Sequence, residues 1–210
     1  MIYPKQSGII FWFFKWYVLL AVKKNFARII FDKISLDGNK SILLIANHFS
    51  YWDTLILFVV NERLFKKKPH VMVLEDTMRK ERFLKYGGAF SVGKNPKDIV
   101  ASLNYAVTLL NDPGNIVLIY PQGRLYSNFV EQVHFEKGVL NIIKQTKADF
   151  QLVFAATFVQ YFKHKKPTAS VYLKSEAVNY AGKTIGDLQQ AYQQHYTAAR
   201  LAQTEIDIEQ

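Results

Sequence analysis

The 210 residues include no cysteine. That absence excludes a disulfide scaffold, a thiolate metal site, an iron–sulfur cluster and a cysteine nucleophile, and it fits a reducing compartment. The five histidines, at 48, 70, 134, 164 and 195, show no His-x-x-His or His-Glu-x-x-His spacing, so no metal site is expected. No apolar run reaches the roughly 20 residues of a confident bilayer span. Repeats, low-complexity tracts and linkers are also missing. Acidic residues are scarce: 17 Asp and Glu stand against 27 Lys and Arg, a formal net charge of +10. Such a balance points to a polyanionic partner, whether nucleic acid, a membrane surface, or a phosphorylated or CoA-type substrate. What the chain has in quantity is apolar and aromatic: 50% hydrophobic residues, with 16 Phe and 12 Tyr. Disorder is thereby excluded, and a dense core or a lipid interface is favoured over a solvated nucleic-acid-binding tail. The length suits one domain with an appendage.

The appendage is expected at the start. Residues 9–22 are apolar except for Lys15 and contain Trp12, Trp16 and Tyr17, side chains that settle at headgroup depth. Lys5, Lys15, Lys23, Lys24, Arg28 and Lys33 surround them, against Asp32 alone. Residues 1–33 read as a membrane-associating helix or helical pair lying on an anionic leaflet at the cytoplasmic face. The alternative is an amphipathic helix that caps the chain's own core. Residues 34–210 alternate between strand and helix signals. Strands are expected at 41–46, 70–75, 88–92, 115–120, 151–159 and 168–174. Helices are expected at 51–61, 77–86, 136–146, from Pro96 behind the cap Asn95, and to about 202 behind the capping box Thr184-x-x-Asp187. This order predicts an α/β domain, a mostly parallel mixed sheet flanked by helices.

Asn47-His-Phe-Ser-Tyr-Trp-Asp53 follows the first buried strand, at the end where open α/β sheets bind ligands. Ser50-x-x-Asp53 is a capping-box pattern. With the helix starting at Ser50, His48 lies in the preceding turn and can fold back onto the Asp53 carboxylate. An imidazole held by a carboxylate is a general base, although a structural histidine and a mere cap would carry the same letters. There is no Gly-x-Ser-x-Gly elbow, so a His48–Asp53 pair would activate a hydroxyl of the substrate rather than one of the protein. A second block, Tyr120-Pro-Gln-Gly-Arg124, follows another buried strand. Its turn amides can face an oxyanion or a phosphate, and Arg124 can grip a phosphate; an ordinary turn with a surface arginine is the plainer reading.

Together these residues resemble the glycerolipid acyltransferase superfamily, the 1-acylglycerol-3-phosphate acyltransferase-like group. Asn47, His48, Ser50 and Asp53 match its Asn-His-x-Ser-x-x-Asp block. Gly88-Ala-Phe-Ser-Val-Gly-Lys94 is similar to its second block, with Lys94 where arginine is expected. The third block, Phe-Pro-Glu-Gly with a following Arg and Ser, reads here as Tyr120, Pro121, Gln122, Gly123 and Arg124, with Ser127 beyond. The resemblance implies transfer of a fatty acyl group from acyl-CoA or acyl-carrier protein, as substrate and not cofactor, to a hydroxyl of a lysolipid or other lipid acceptor. His48 and Asp53 would be catalytic. Asn47, Ser50, Lys94, Gln122, Gly123 and Arg124 would bind substrate, and amides near Gly123 or Ser50 would hold the oxyanion. Lys66-Lys67-Lys68 and the basic stretch 79–85 would meet CoA phosphates, carrier-protein acids or headgroups. Gln122 and Lys94 depart from the family pattern in the blocks used for the acceptor. A relative that binds lipid without catalysis is the second reading. A nucleic-acid binder rests on net charge alone, and none is expected.

Overall fold

The computed structural model describes residues 1–206. Helix α1 (Gly8–Asn25) leads to a short strand β1 (Arg28–Phe31). Then follow β2 (Ser41–Ala46), α2 (Trp52–Val60), β3 (Lys68–Leu74), α3 (Glu75–Lys80), β4 (Ala89–Val92), α4 (Pro96–Leu110) and β5 (Asn115–Ile119). The chain continues with α5 (Gly138–Gln145), β6 (Phe150–Gln160), β7 (Thr168–Glu176) and α6 (Ile185–Thr204). The seven strands form one sheet in the order β1-β7-β6-β2-β5-β3-β4. β6, β2, β5, β3 and β4 run parallel; β7 is antiparallel to β6, and β1 runs with β7. The fold is thus α/β with a mostly parallel mixed sheet.

β2 lies at the centre, and all six of its residues are buried. Its side chains alternate between two cores, as the strand period of two requires. Ile42, Leu44 and Ala46 face α1 and α2, while Leu43 and Ile45 face α4, α5 and α6. Each of the Ile and Leu side chains stabilises the fold by about 1.5–3 kcal/mol on burial. A strand covered on both faces has no reason to alternate polar and apolar residues, hence the unbroken Ile-Leu-Leu-Ile.

Two local readings change. The helix expected over 77–86 is broken: α3 ends at Lys80, and residues Arg82–Gly87 form a tighter 3₁₀ turn. The break turns Phe83 towards α1, where it meets Phe14 and Tyr17 at ring distances of 6.1 and 5.9 Å. Gly88 then takes φ 98°, where any Cβ would lie 1.9 Å from the Pro69 carbonyl oxygen. Within residues 1–33 the structure places one helix and one strand. Val18 and Val22 of α1 are buried, and Phe11 and Phe14 pack on Phe58 of α2 at 6.1 and 5.5 Å. Trp12, Phe13, Trp16, Tyr17 and Leu20 of the same helix stay exposed. No helix among the described residues is long and apolar enough to cross a membrane.

Candidate active site

The site begins where β2 ends. Asn47 is buried, and both ends of its side-chain amide are used on one residue of β6. Nδ2 donates to the Thr157 carbonyl at 2.9 Å, and Oδ1 accepts the Thr157 amide at 2.8 Å. The side chain thereby extends the β2–β6 ladder past its last paired rung, Ala46 with Ala155. The main chain is then free to turn toward α2. The next residue is pinned from the other side. The His48 amide donates to Gln122 Oε1 at 2.7 Å, and its carbonyl accepts the Tyr126 amide at 3.0 Å.

Asp53, in the first turn of α2, is fully buried. Burying a carboxylate costs several kcal/mol unless donors replace water. Here Oδ2 accepts from His48 Nδ1 at 2.8 Å, the Phe49 amide at 2.7 Å and the Ser50 amide at 2.9 Å. Oδ1 accepts the Ser50 hydroxyl at 2.8 Å. The positive end of the α2 dipole adds to this stabilisation. The Ser50 hydroxyl in turn accepts the Trp52 amide at 3.1 Å; α2 starts at Trp52 with Tyr51 at its cap, so of the expected capping box only the bond from the Ser50 amide to Asp53 forms.

Because Nδ1 faces an acceptor-only carboxylate, it carries the imidazole proton and leaves the Nε2 lone pair free. The His48 side chain is 24% exposed, so the ring reaches solvent. Its face lies on the Tyr120 ring at 4.0 Å and 15°. The Tyr120 hydroxyl bonds Thr54 Oγ1 at 3.1 Å, which ties that support to α2. Burial, reinforced by the Asp53 charge, pushes the Tyr120 phenol well above its ordinary value, so it remains neutral. The arrangement can accept a proton at Nε2 and hold it while Asp53 balances the imidazolium.

The remaining expected residues divide. Gln122 is buried and is spent on the His48 backbone, so like Asn47 it builds the frame of the site rather than its open face. Gly123, at φ 66°, closes the turn by donating its amide to the Tyr120 carbonyl. The amides of Phe49, Ser50, Trp52 and Gly123 are therefore all engaged, so an oxyanion donor near Ser50 or Gly123 would have to come from a neighbouring amide of either turn. Arg124 is exposed, its Nε 2.9 Å from the Tyr126 hydroxyl and its guanidinium 4.9 Å from that ring. Lys94 is exposed and ion-paired with Asp76 at 2.6 Å. Lys66–68 precede or open β3, at the sheet end opposite His48, and Lys67 Nζ is bound to the Gly38 and Pro113 carbonyls. Among the described residues no His, Asp and Glu cluster fit to hold a metal ion occurs. Tyr120 is expected from the sequence only as the start of the turn block, and Tyr126 is not singled out by it at all. Nothing in spacing signals a ring stack or a backbone bond between segments 72 residues or more apart.

The family model described as Acyltransferase matches residues 22–157, a span that holds both His48–Asp53 and the Tyr120–Arg124 turn. No curated protein matches the sequence. With well over half of its length matched, the chain belongs to the glycerolipid acyltransferase family.

Proposed function

We propose that this acyltransferase acts at a membrane surface and moves a fatty acyl group from a thioester, acyl-CoA or acyl-carrier protein, to a hydroxyl of a lysolipid or other lipid acceptor. The observation that carries the reading is the His48–Asp53 pair, with Nδ1 committed to a buried carboxylate and Nε2 open. His48 Nε2 takes the acceptor's hydroxyl proton as that oxygen attacks the thioester carbonyl. The tetrahedral intermediate collapses, the carbon–sulfur bond breaks, and the imidazolium returns the proton to the departing thiolate. Asp53 stays ionised throughout and stabilises the imidazolium. No covalent acyl-enzyme is formed. Arg124, exposed beside the Gln122–Gly123 turn, is the residue best placed to meet a phosphate on donor or acceptor.

Support for the membrane comes from the exposed aromatic face of α1, with Trp12 at 55%, Phe13 at 62% and Trp16 at 46% exposure. Contiguous exposed apolar surface of this kind marks an interaction site. The test is thiol release from acyl-CoA and from acyl-carrier protein, in detergent, across lysophosphatidate, other lysophospholipids and an aminoacyl lipid. Acceptor-dependent release that is lost in His48→Ala is expected. Folded protein that binds vesicles but releases thiol with no acceptor would favour a lipid-binding relative without catalysis.

A further inference from the structure

A concavity lies away from His48, between α1, the edge strand β1 and the far end of α2. Its volume is about 670 Å³. Its apolar lining comes from Leu19, Val22, Phe26, Ile29 and Val59, with Ile30 exposed beside them. The rim is basic: Lys15, Lys23, Arg28 and Arg63 stand against the single carboxylate of Glu62, which Lys15 meets at 2.5 Å. Lys23 and Arg63 are exposed and make no ion pair among the described residues.

A greasy floor under a cationic rim is the complement of an amphiphile with an anionic head. α1 supplies one wall through Leu19, Val22 and Lys23, and one to two turns earlier, on the same and the adjoining face, bears Trp12, Trp16 and Phe13, exposed. The groove therefore opens beside the face by which the helix would rest on a leaflet. Phe26, on the floor, also packs edge-on against Trp52 at 5.3 Å, next to Asp53.

We infer that this groove binds one anionic phospholipid drawn from the leaflet, its headgroup phosphate on Lys23 and Arg63 and its acyl chain on the floor. The inference rests on the membrane-surface reading for the source of the lipid but not for the chemistry of the groove. It is separate from the acyl donor and acceptor at His48.

Calorimetric titration with dihexanoyl phosphatidylglycerol below its critical micelle concentration tests the groove without a bilayer. Dihexanoyl phosphatidylcholine serves as the uncharged-head comparison. Two variants probe the two halves of the idea. Lys23→Gln with Arg63→Gln removes the charges; Ala27→Trp, at an exposed groove position, fills the space and leaves net charge unchanged. The expected result is tighter binding of the phosphatidylglycerol, weakened at least tenfold by either change, with circular dichroism unaltered. Equal binding of the two lipids would overturn the inference. So would loss of binding in the charge variant alone, which would reduce the effect to general surface electrostatics. Co-sedimentation with vesicles of phosphatidylcholine containing phosphatidylglycerol separates the two claims. Wild-type protein that binds the soluble lipid but not the vesicles would sink the membrane-surface reading and leave the groove standing.

Discussion

His70 gives the molecule a defined sensitivity to acid. It sits on β3, buried, with Nε2 3.3 Å from Asn115 Oδ1 and Nδ1 buried without a partner. Burial foremost, then the nearby Lys68 charge, lowers its pKa from 6.5 to about 4. The hydrogen bond to Asn115, the charge of Asp112 and the Gly88 backbone oppose the shift without cancelling it. The folded state thus binds fewer protons than the unfolded chain between those two values. Stability is fully present above about pH 6.5, falls as pH drops through the window, and is completely lost as a contribution below about pH 4. At 1.36 kcal/mol per unit, the whole window is worth about 3 kcal/mol. That is a large part of the about 5–15 kcal/mol that holds a domain together. Urea unfolding of wild type and His70→Gln at half-unit steps from pH 4 to pH 8 measures it. The difference between the two proteins isolates His70 from His48, His195 and the carboxylates. It is expected to be flat above pH 7 and to move by about 3 kcal/mol in favour of the variant by pH 4. A difference that does not change with pH would refute the reasoning. It would mean that the imidazole is protonated in place, with water reaching Nδ1.

Three substitutions at two positions test the architecture around His48. Asparagine at position 53 can keep the Phe49 and Ser50 amide bonds through its oxygen and offer its NH₂ to the Ser50 hydroxyl, so Asp53→Asn is expected to fold. What it removes is the charge opposite the imidazolium, and kcat is expected to fall about ten-thousandfold with a small change in KM, the scale seen when a triad carboxylate becomes an amide; a loss under tenfold would show that Asp53 only caps α2. Gln122→Leu leaves the His48 amide without its acceptor, at a cost of about 1–3 kcal/mol, and is expected to lower both the melting temperature and kcat. Gln122→Glu restores the acceptor and should recover both. A Leu variant that keeps the wild-type melting temperature and changes only the KM for acceptor would place the side chain on the substrate instead.

Legibility in the sequence followed the range of the interaction. The capping pair Ser50 and Asp53 and the approach of His48 are all made within six residues, and the spacing alone shows them. β2 and the other buried strands were legible because burial on both faces leaves a continuous apolar run. β1 was not, since Arg28-Ile-Ile-Phe31 is four residues long, alternately exposed, and defined only by pairing with β7 some 140 positions away. The break after Lys80 was hidden for a similar reason: what stops the helix is the docking of Phe83 against α1, a tertiary contact that overrides local propensity.

The same rule explains why the roles of Asn47 and Gln122 could not be read from their positions in the motifs. Adjacent to a histidine proposed as the general base, a polar side chain invites a substrate-binding role. Yet a histidine at the mouth of a sheet must have its own backbone amide and carbonyl satisfied, because both leave the strand ladder there. Asn47 completes the ladder with Thr157, and Gln122 with Tyr126 takes up the two backbone groups of His48. An amide supplies that acceptor as well as a carboxylate does, so Gln122, where the resemblance leads one to expect glutamate, keeps the anchor without a negative charge beside His48. The departure thus leaves the positioning of His48 intact and alters the electrostatic field in which an anionic acceptor would sit, which is where a change of acceptor would be expressed.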